Sequence, residues 1–303
     1  MYGIDSWVAW RDHAPRDLRP TRRAPGEIES QPAFDVSTYR DLATVVSFLN
    51  VMNKHHHLLF RGQSRETFPS PTLTRDTWAT HRLPTPVRLV DRRADYYEAL
   101  GPLSAAVTRM LAGRLPRHRP FEKASDPRRR QLRVAPWAVI QHYELWPTPL
   151  LDLTGSLRVA ASFAFGVPAS RTTGLLYVFS APRVVSDLMP PRPSARRMTV
   201  RLSAVCPPGT QRPHLQDGYL VGDPQADAES LDESARLLSD CLVAVFRLHD
   251  GAASGNPGFW DEDFPPHTAQ SLLPTGSADD LAAAFDTAFT YRFENGVAVV
   301  EHH

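Results

Sequence analysis

Cys206 and Cys241 are the only cysteines in 303 residues. Two thiols cannot build a disulfide framework and suit a reducing compartment, so both are read as free and the protein as cytoplasmic. No apolar run approaches the roughly 18 residues that a membrane-spanning helix needs. The first 23 residues mix Asp5, Asp12 and Asp17 with five arginines and hold no apolar h-region, so neither export nor membrane insertion is expected. Charge of one sign is missing too. The 34 basic residues meet 33 acidic ones, a formal net charge of +1, so no global field draws the chain to nucleic acid or an anionic membrane, and any polyanion site must be local. Several motifs are absent: a Gly-x-Gly-x-x-Gly after a strand, a Gly-Lys-Ser/Thr phosphate loop, a Gly-x-Ser-x-Gly elbow and a His-Glu-x-x-His helix. His55-His56-His57 does not replace them as a metal site, because adjacent side chains point apart and no Cys or Asp cluster supports them. No metal is expected.

The composition, 42% apolar and 22% charged, is that of a folded globular protein. Proline is in excess at 28 residues, which predicts long Pro/Arg-rich loops. Residues 1–33 carry Trp7, Val8 and Trp10 without a period and are read as an extended N-terminal arm; residues 34–295 are read as the main domain. Ser37 and Thr38 precede Leu42, Val45, Val46, Leu49 and Met52 at helical spacing, the first helix. Leu58-Leu59-Phe60-Arg61 before Gly62 reads as a strand, and residues 91–112 as a helix. Between Arg114 and Arg133, eight Lys or Arg residues broken by prolines predict a basic loop. A helix through Trp137 and Ile140, a Pro147-Thr148-Pro149 turn, a strand at 150–153 and a helix through Ala160 and Phe163 make the middle of the core. Leu175–Phe179, apolar on both faces, predicts a central strand, and residues 190–201 a loop. Strands are expected at 219–221 and 242–246, with a helix at 229–239 between them. A last helix through Leu281, Phe285 and Phe289 is expected, capped by Ser277. Strands and helices do not alternate, so the fold class is α+β, a mixed sheet with flanking helices.

Three constellations carry chemistry. In Phe60-Arg61-Gly62-Gln63 a guanidinium at a strand end stands beside a glycine, where backbone can approach a ligand and the Arg fork can hold phosphate oxygens. In the block from Gln141 to Thr154, Asp152 lies inside an apolar strand and needs a partner, with Arg61 the natural candidate, since an unpaired buried carboxylate costs several kcal/mol. His142 ends the preceding helix; a core histidine bonded to a carbonyl is the plain alternative. The third is Arg212-Pro213-His214-Leu215-Gln216-Asp217-Gly218-Tyr219, which places polar groups at a strand entrance.

Together these pieces resemble the FRG-domain family: Phe-Arg-Gly-Gln at 60–63, Gln-His-Tyr-x-x-x-x-Thr-x-Leu-Leu-Asp-x-Thr at 141–154, and Gln-x-Gly followed by an aromatic position at 216–219. Glu144 departs from the family's usual Gly, and Tyr219 from its Phe. The layout is similar, more distantly, to ADP-ribosyltransferases of the Arg, Ser-Thr-Ser, Glu-x-Glu type. That resemblance implies an ADP-ribosyltransferase-like fold and NAD as substrate. It makes Arg61, Gly62, Gln63, Tyr143 and Thr154 the cofactor-binding residues and Asp152, His142 and Gln216 the catalytic ones. It also implies transfer of ADP-ribose to water or to a nucleic-acid or protein acceptor, recruited by the basic loop. Gly218 stands where such enzymes carry the catalytic Glu, so a non-catalytic nucleotide or nucleic-acid binding module is the competing expectation. A toxin or phage-defence effector is a third.

Overall fold

The structure is a computed structural model. It describes residues 8–9, 21–22, 33–54, 56–64, 68–114, 134–167, 170–182, 198–223, 226–252, 255, 257–274, 278–294 and 297–303. Most of the N-terminal arm, the basic loop from 115 to 133, the Pro/Arg stretch from 190 to 197 and Ser277 lie outside these residues. Along the chain run β1 (Val8–Ala9), β2 (Thr21–Arg22), β3 (Phe34–Val36), α1 (Tyr39–Met52) and β4 (His56–Gln63). Next come β5 (Thr77–Trp78), β6 (Val87–Arg88), α2 (Arg93–Arg114), α3 (Val134–His142), β7 (Leu150–Thr154), α4 (Leu157–Ala164) and β8 (Thr173–Pro182). β9 (Met198–Arg201), α5 (Gln211–Leu215), β10 (Gly218–Gly222), α6 (Leu231–Ser239) and β11 (Leu242–His249) follow. The described chain closes with α7 (Ala269–Leu272), α8 (Asp280–Ala288), β12 (Phe289–Glu294) and β13 (Val297–His302). The fold is α+β, and contacts divide it into two units. Unit 1 is Met1–Pro69, Leu153–Val184 and Leu238–Leu273; unit 2 is Ser70–Asp152, Val185–Leu237 and Pro274–His303.

In unit 1 the strand order is β3-β11-β8-β4. β3 pairs parallel with β11, while β11 with β8 and β8 with β4 are antiparallel, so the sheet is mixed. α1 forms as its pattern predicts. The Thr38 hydroxyl accepts the Asp41 N–H at 3.1 Å, closing the first turn, and Leu42, Val45, Val46 and Leu49 are buried at i, i+3, i+4 and i+7. Side chains alternate along β4, so Leu58, Phe60 and Gly62 share one face and Leu59, Arg61 and Gln63 the other. α4 covers the first of these faces. A methyl at Gly62 would lie 1.7 Å from the Ala160 carbonyl oxygen, and one at Gly174 of β8 would lie 2.2 Å from that of Ala164. Glycine on the strands and alanine on the helix let two backbones touch, and Ala160 and Ala164 pack with Phe60, Leu176 and Val178 in the unit's core. β8 is covered on its other face as well, where the Phe68 ring stands edge-on to Tyr177 and Phe179.

In unit 2 the strand order is β7-β10-β9. β9 falls within the stretch expected to be loop up to residue 201; it pairs antiparallel with β10 from Tyr219↔Arg201 to Gly222↔Met198. α3 is buried at all nine positions, as a helix in the middle of a core must be. The last helix stops at Ala288, and Phe289, expected on it, begins the β12–β13 hairpin. Its cap is Asp279, whose carboxylate accepts from the N–H groups of Leu281 and Ala282 at 3.1 and 2.9 Å. Cys206 and Cys241 are both buried thiols. Among the described residues no helix is long and apolar enough to cross a membrane, and no group of three or more His, Cys, Asp and Glu residues could hold a metal ion.

Candidate functional site

The Gln141–Thr154 block turns the end of α3 into the start of β7, and each polar residue in it has a definite task. Gln141 is buried and closes the turn: its Nε2 donates to the Thr72 hydroxyl at 2.7 Å, and its Oε1 accepts from the Thr148 hydroxyl at 2.8 Å. One amide thereby ties the 147–149 turn to the chain at residue 72, which explains the Gln and the first Thr of the block as a pair. Tyr143, expected to contact a cofactor, is 1% exposed. Its hydroxyl donates to the Asp279 carboxylate, 3.1 Å from each oxygen. Burial, reinforced by the Asp279 charge, pushes the phenol pKa far above its ordinary value. Asp279 is fully buried and also accepts the Arg212 N–H at 2.7 Å. Tyr143 is therefore a clamp on the N-terminus of α8.

His142 faces Asp152, with Nδ1 and Oδ1 3.0 Å apart. The imidazole is 4% exposed and the carboxylate 25%, so Asp152 is less buried than its apolar strand suggests, and in unit 2 it meets the histidine. Burial lowers the His142 pKa, opposed by the hydrogen bond to Asp152 and aided by the Arg212 charge, and the ring is neutral at pH 7. A carboxylate oxygen accepts, so Nδ1 carries the proton and Nε2 is left with its lone pair. That Nε2 is buried and has no hydrogen-bond partner among the described residues. A buried polar atom without a partner is rare and needs a reason.

Gly218 belongs to the same arrangement. A methyl there would meet Leu202 Cδ1 at 2.8 Å and His142 Cε1 at 3.2 Å. The glycine of the Gln-x-Gly motif leaves room for Leu202 and the histidine ring, and a side chain in its place would press first on Leu202 and then on that ring. Gln216 is buried at the end of α5, its N–H donating to the Arg212 carbonyl at 3.1 Å. Arg212 reaches Glu144, Nη2 to Oε1 at 3.1 Å, and its guanidinium lies 5.8 Å from the centre of the Tyr143 ring. Glu144 Oε2 faces His81 Nδ1 at 3.5 Å and the Thr80 hydroxyl at 3.4 Å. Burial raises the Glu144 pKa, but the His81 hydrogen bond and the Arg212 charge outweigh it and hold the carboxyl at about 2.

The remaining expected residues lie in unit 1. Thr154 pairs with Phe60, so its side chain lies on the face of β4 that α4 covers, and Arg61 points from the other face. The register does not bring these two cofactor candidates together. The Thr154 hydroxyl accepts the Ser156 N–H at 2.9 Å, and Ser156 caps α4 by accepting from Val159. The expected role of Gly62 is corrected as well, since the space beside it is filled by the α4 backbone instead of being open to a ligand. Arg61 and Gln63 are half-buried on the opposite face, where Arg61 pairs with Tyr177 and Gln63 with Leu175 across to β8. Arg212, Asp279 and His81 join the arrangement without being among the expected site residues. Of the three, Arg212 had a local signal, four residues before the Gln-x-Gly motif.

An α+β fold in which a buried histidine meets a partly exposed Asp beside a Glu–Arg pair is the class of molecule these features define. Residues 56–172 match the FRG domain family model. The matched stretch holds Phe-Arg-Gly-Gln and the whole Gln141–Thr154 block but ends before Gln216. No curated protein and no solved structure matches the chain.

Proposed function

We propose that the protein is an ADP-ribosyltransferase-like enzyme that takes NAD as substrate, breaks the glycosidic bond to nicotinamide and passes ADP-ribose to water or an acceptor hydroxyl. One observation carries the reading: a neutral His142, fixed by Asp152 at Nδ1, with a buried Nε2 that nothing described satisfies. Such a nitrogen is a proton acceptor in waiting. In the reaction the C1′–N bond breaks and the pyridine nitrogen keeps the electron pair. The nucleophile's oxygen bonds to C1′, and its proton passes to Nε2. Asp152 holds the tautomer and offsets the charge that His142 gains. Gln216 hydrogen-bonds the ribose. Tyr143 and Gly62, committed to Asp279 and to α4, drop out of the binding set.

A second reading has its own support. With Gly218 filled by the His142 ring and Leu202, the carboxylate that such enzymes use on the developing sugar cation has no counterpart there. The same residues would then bind a nucleotide without chemistry. Incubating the protein with NAD and measuring nicotinamide by chromatography separates the two. Release that disappears in His142→Gln supports the enzyme; saturable NAD binding without release supports the module. If the activity is toxic, slow growth on expression is relieved by Arg61→Ala.

A further inference from the structure

Glu144 has φ 54°, a left-handed backbone that a non-glycine residue rarely adopts. The side chain gives that conformation its use. Its carboxylate meets Arg212, His81 and Thr80, three groups from two separate stretches of unit 2. We propose that Arg212, His81 and Thr80 form a binding site for a phosphate-class oxyanion, and that the Glu144 carboxylate occupies it as an internal stand-in.

The guanidinium supplies the strongest reason. Nε and Nη2 form one edge of the fork, with two N–H groups aimed at the same place. Glu144 uses only Nη2. Nε, on the same edge, is buried and has no hydrogen-bond partner among the described residues. A carboxylate held at one nitrogen leaves half of a bidentate edge unused, whereas phosphate has enough oxygens to take Nε and Nη2 together and still accept from Thr80 and His81. Arg212 is also held in place beforehand. Its side chain is 15% exposed, it lies over the Tyr143 ring, and its N–H is anchored on Asp279. A fork fixed in this way loses little freedom when an anion arrives. Glycine at 144 would relax the backbone and vacate the site in one step. The proposal stands whether or not nicotinamide is released, because it concerns anion binding at Arg212, His81 and Thr80.

The test is calorimetric titration of the full chain with inorganic phosphate, at ionic strength held constant with chloride, with acetate as a parallel arm. Glu144→Gly is expected to bind phosphate at least about tenfold more tightly than the parent, since an internal competitor taxes affinity by the fraction of time it holds the site. Arg212→Met in the Glu144→Gly background is expected to return binding to the parental level. A folded Glu144→Gly protein with unchanged phosphate affinity overturns the proposal. So does a gain that survives Arg212→Met, or acetate binding as tightly as phosphate. If Glu144→Gly fails to fold, Glu144→Gln keeps the side chain without its charge, and the same outcomes are read from it.

Discussion

Gly62→Ala tests whether the glycine of Phe-Arg-Gly serves packing. Its new methyl would sit 1.7 Å from the Ala160 carbonyl oxygen and 2.7 Å from the Ala164 nitrogen. Both are backbone atoms, so no side chain can swing away, and α4 must retreat by roughly 1.5 Å to restore ordinary contact. It cannot retreat cheaply. The same helix is seated on Gly174 and carries Ala160, Ala161 and Ala164 into the core. Overpacking costs about 1 to 3 kcal/mol, and a backbone clash belongs at or above the upper end. At about 2–4 °C per kcal/mol for a domain of this size, melting should fall by on the order of 6 to 12 °C. Gly101→Ala is the control, because a methyl there meets nothing within 4 Å; inside α2 it should stabilise by about 0.5 to 1 kcal/mol. Scanning calorimetry on the three proteins decides the matter. A Gly62→Ala protein that melts within about 2 °C of the parent refutes the packing account, on that same scale.

Tyr143→Phe removes a buried hydrogen bond to a carboxylate and should cost about 1.5 to 3 kcal/mol in urea unfolding; an unchanged midpoint would mean that the clamp on α8 is idle. Asp152→Asn should leave the melting temperature nearly untouched, because the residue is a quarter exposed and an amide oxygen can still accept from Nδ1. Any nicotinamide release should nevertheless fall by roughly a hundredfold or more as charge support for His142 is lost. Acid should weaken the protein in two stages, read as urea midpoints against pH. His142 is held neutral, with a folded pKa below its ordinary 6.5, so its contribution is complete above that value and is lost as pH falls below it. Glu144, held at about 2 against 4.5, contributes above pH 4.5 and is lost as pH falls from there toward 2. In His142→Gln the upper stage should shrink to the part that His267 contributes, whose pKa burial and the Arg158 charge also lower, and the lower one should remain.

Elements whose signal is local were legible in the sequence. α1 has its apolar spacing and its Thr38 cap, and β8 has five consecutive apolar residues, so each was placed without tertiary help. β9 was not, because Met198–Arg201 is short and follows a Pro/Arg run that reads as loop; its pairing with β10 decides its state. The β12–β13 hairpin had a usable signal in Asn295-Gly296 between β-prone stretches, but the helical spacing of Leu281, Phe285 and Phe289 runs one residue past the helix end. At the site, residue types were readable and their partners were not. The His142–Asp152 contact spans ten residues and the Gln141–Thr148 contact seven, so both fall inside one motif. Tyr143 finds Asp279 136 residues away, and nothing near Tyr143 announces that its hydroxyl is taken. Gly62 is ambiguous for a related reason: a glycine that admits a helix and one that admits a ligand look alike until the neighbouring backbone is in place.

The central claim is that a neutral His142, held by Asp152, accepts a proton as the nicotinamide bond breaks. The measurement closest to it is nicotinamide release from NAD by the parent protein as a function of pH, beside His142→Gln. The account predicts release that rises as His142 loses its proton at a pH below 6.5, follows the depressed pKa of the buried ring, and is absent from the variant. Release of equal rate from folded His142→Gln, or no release by the parent at any pH while NAD binds, contradicts it.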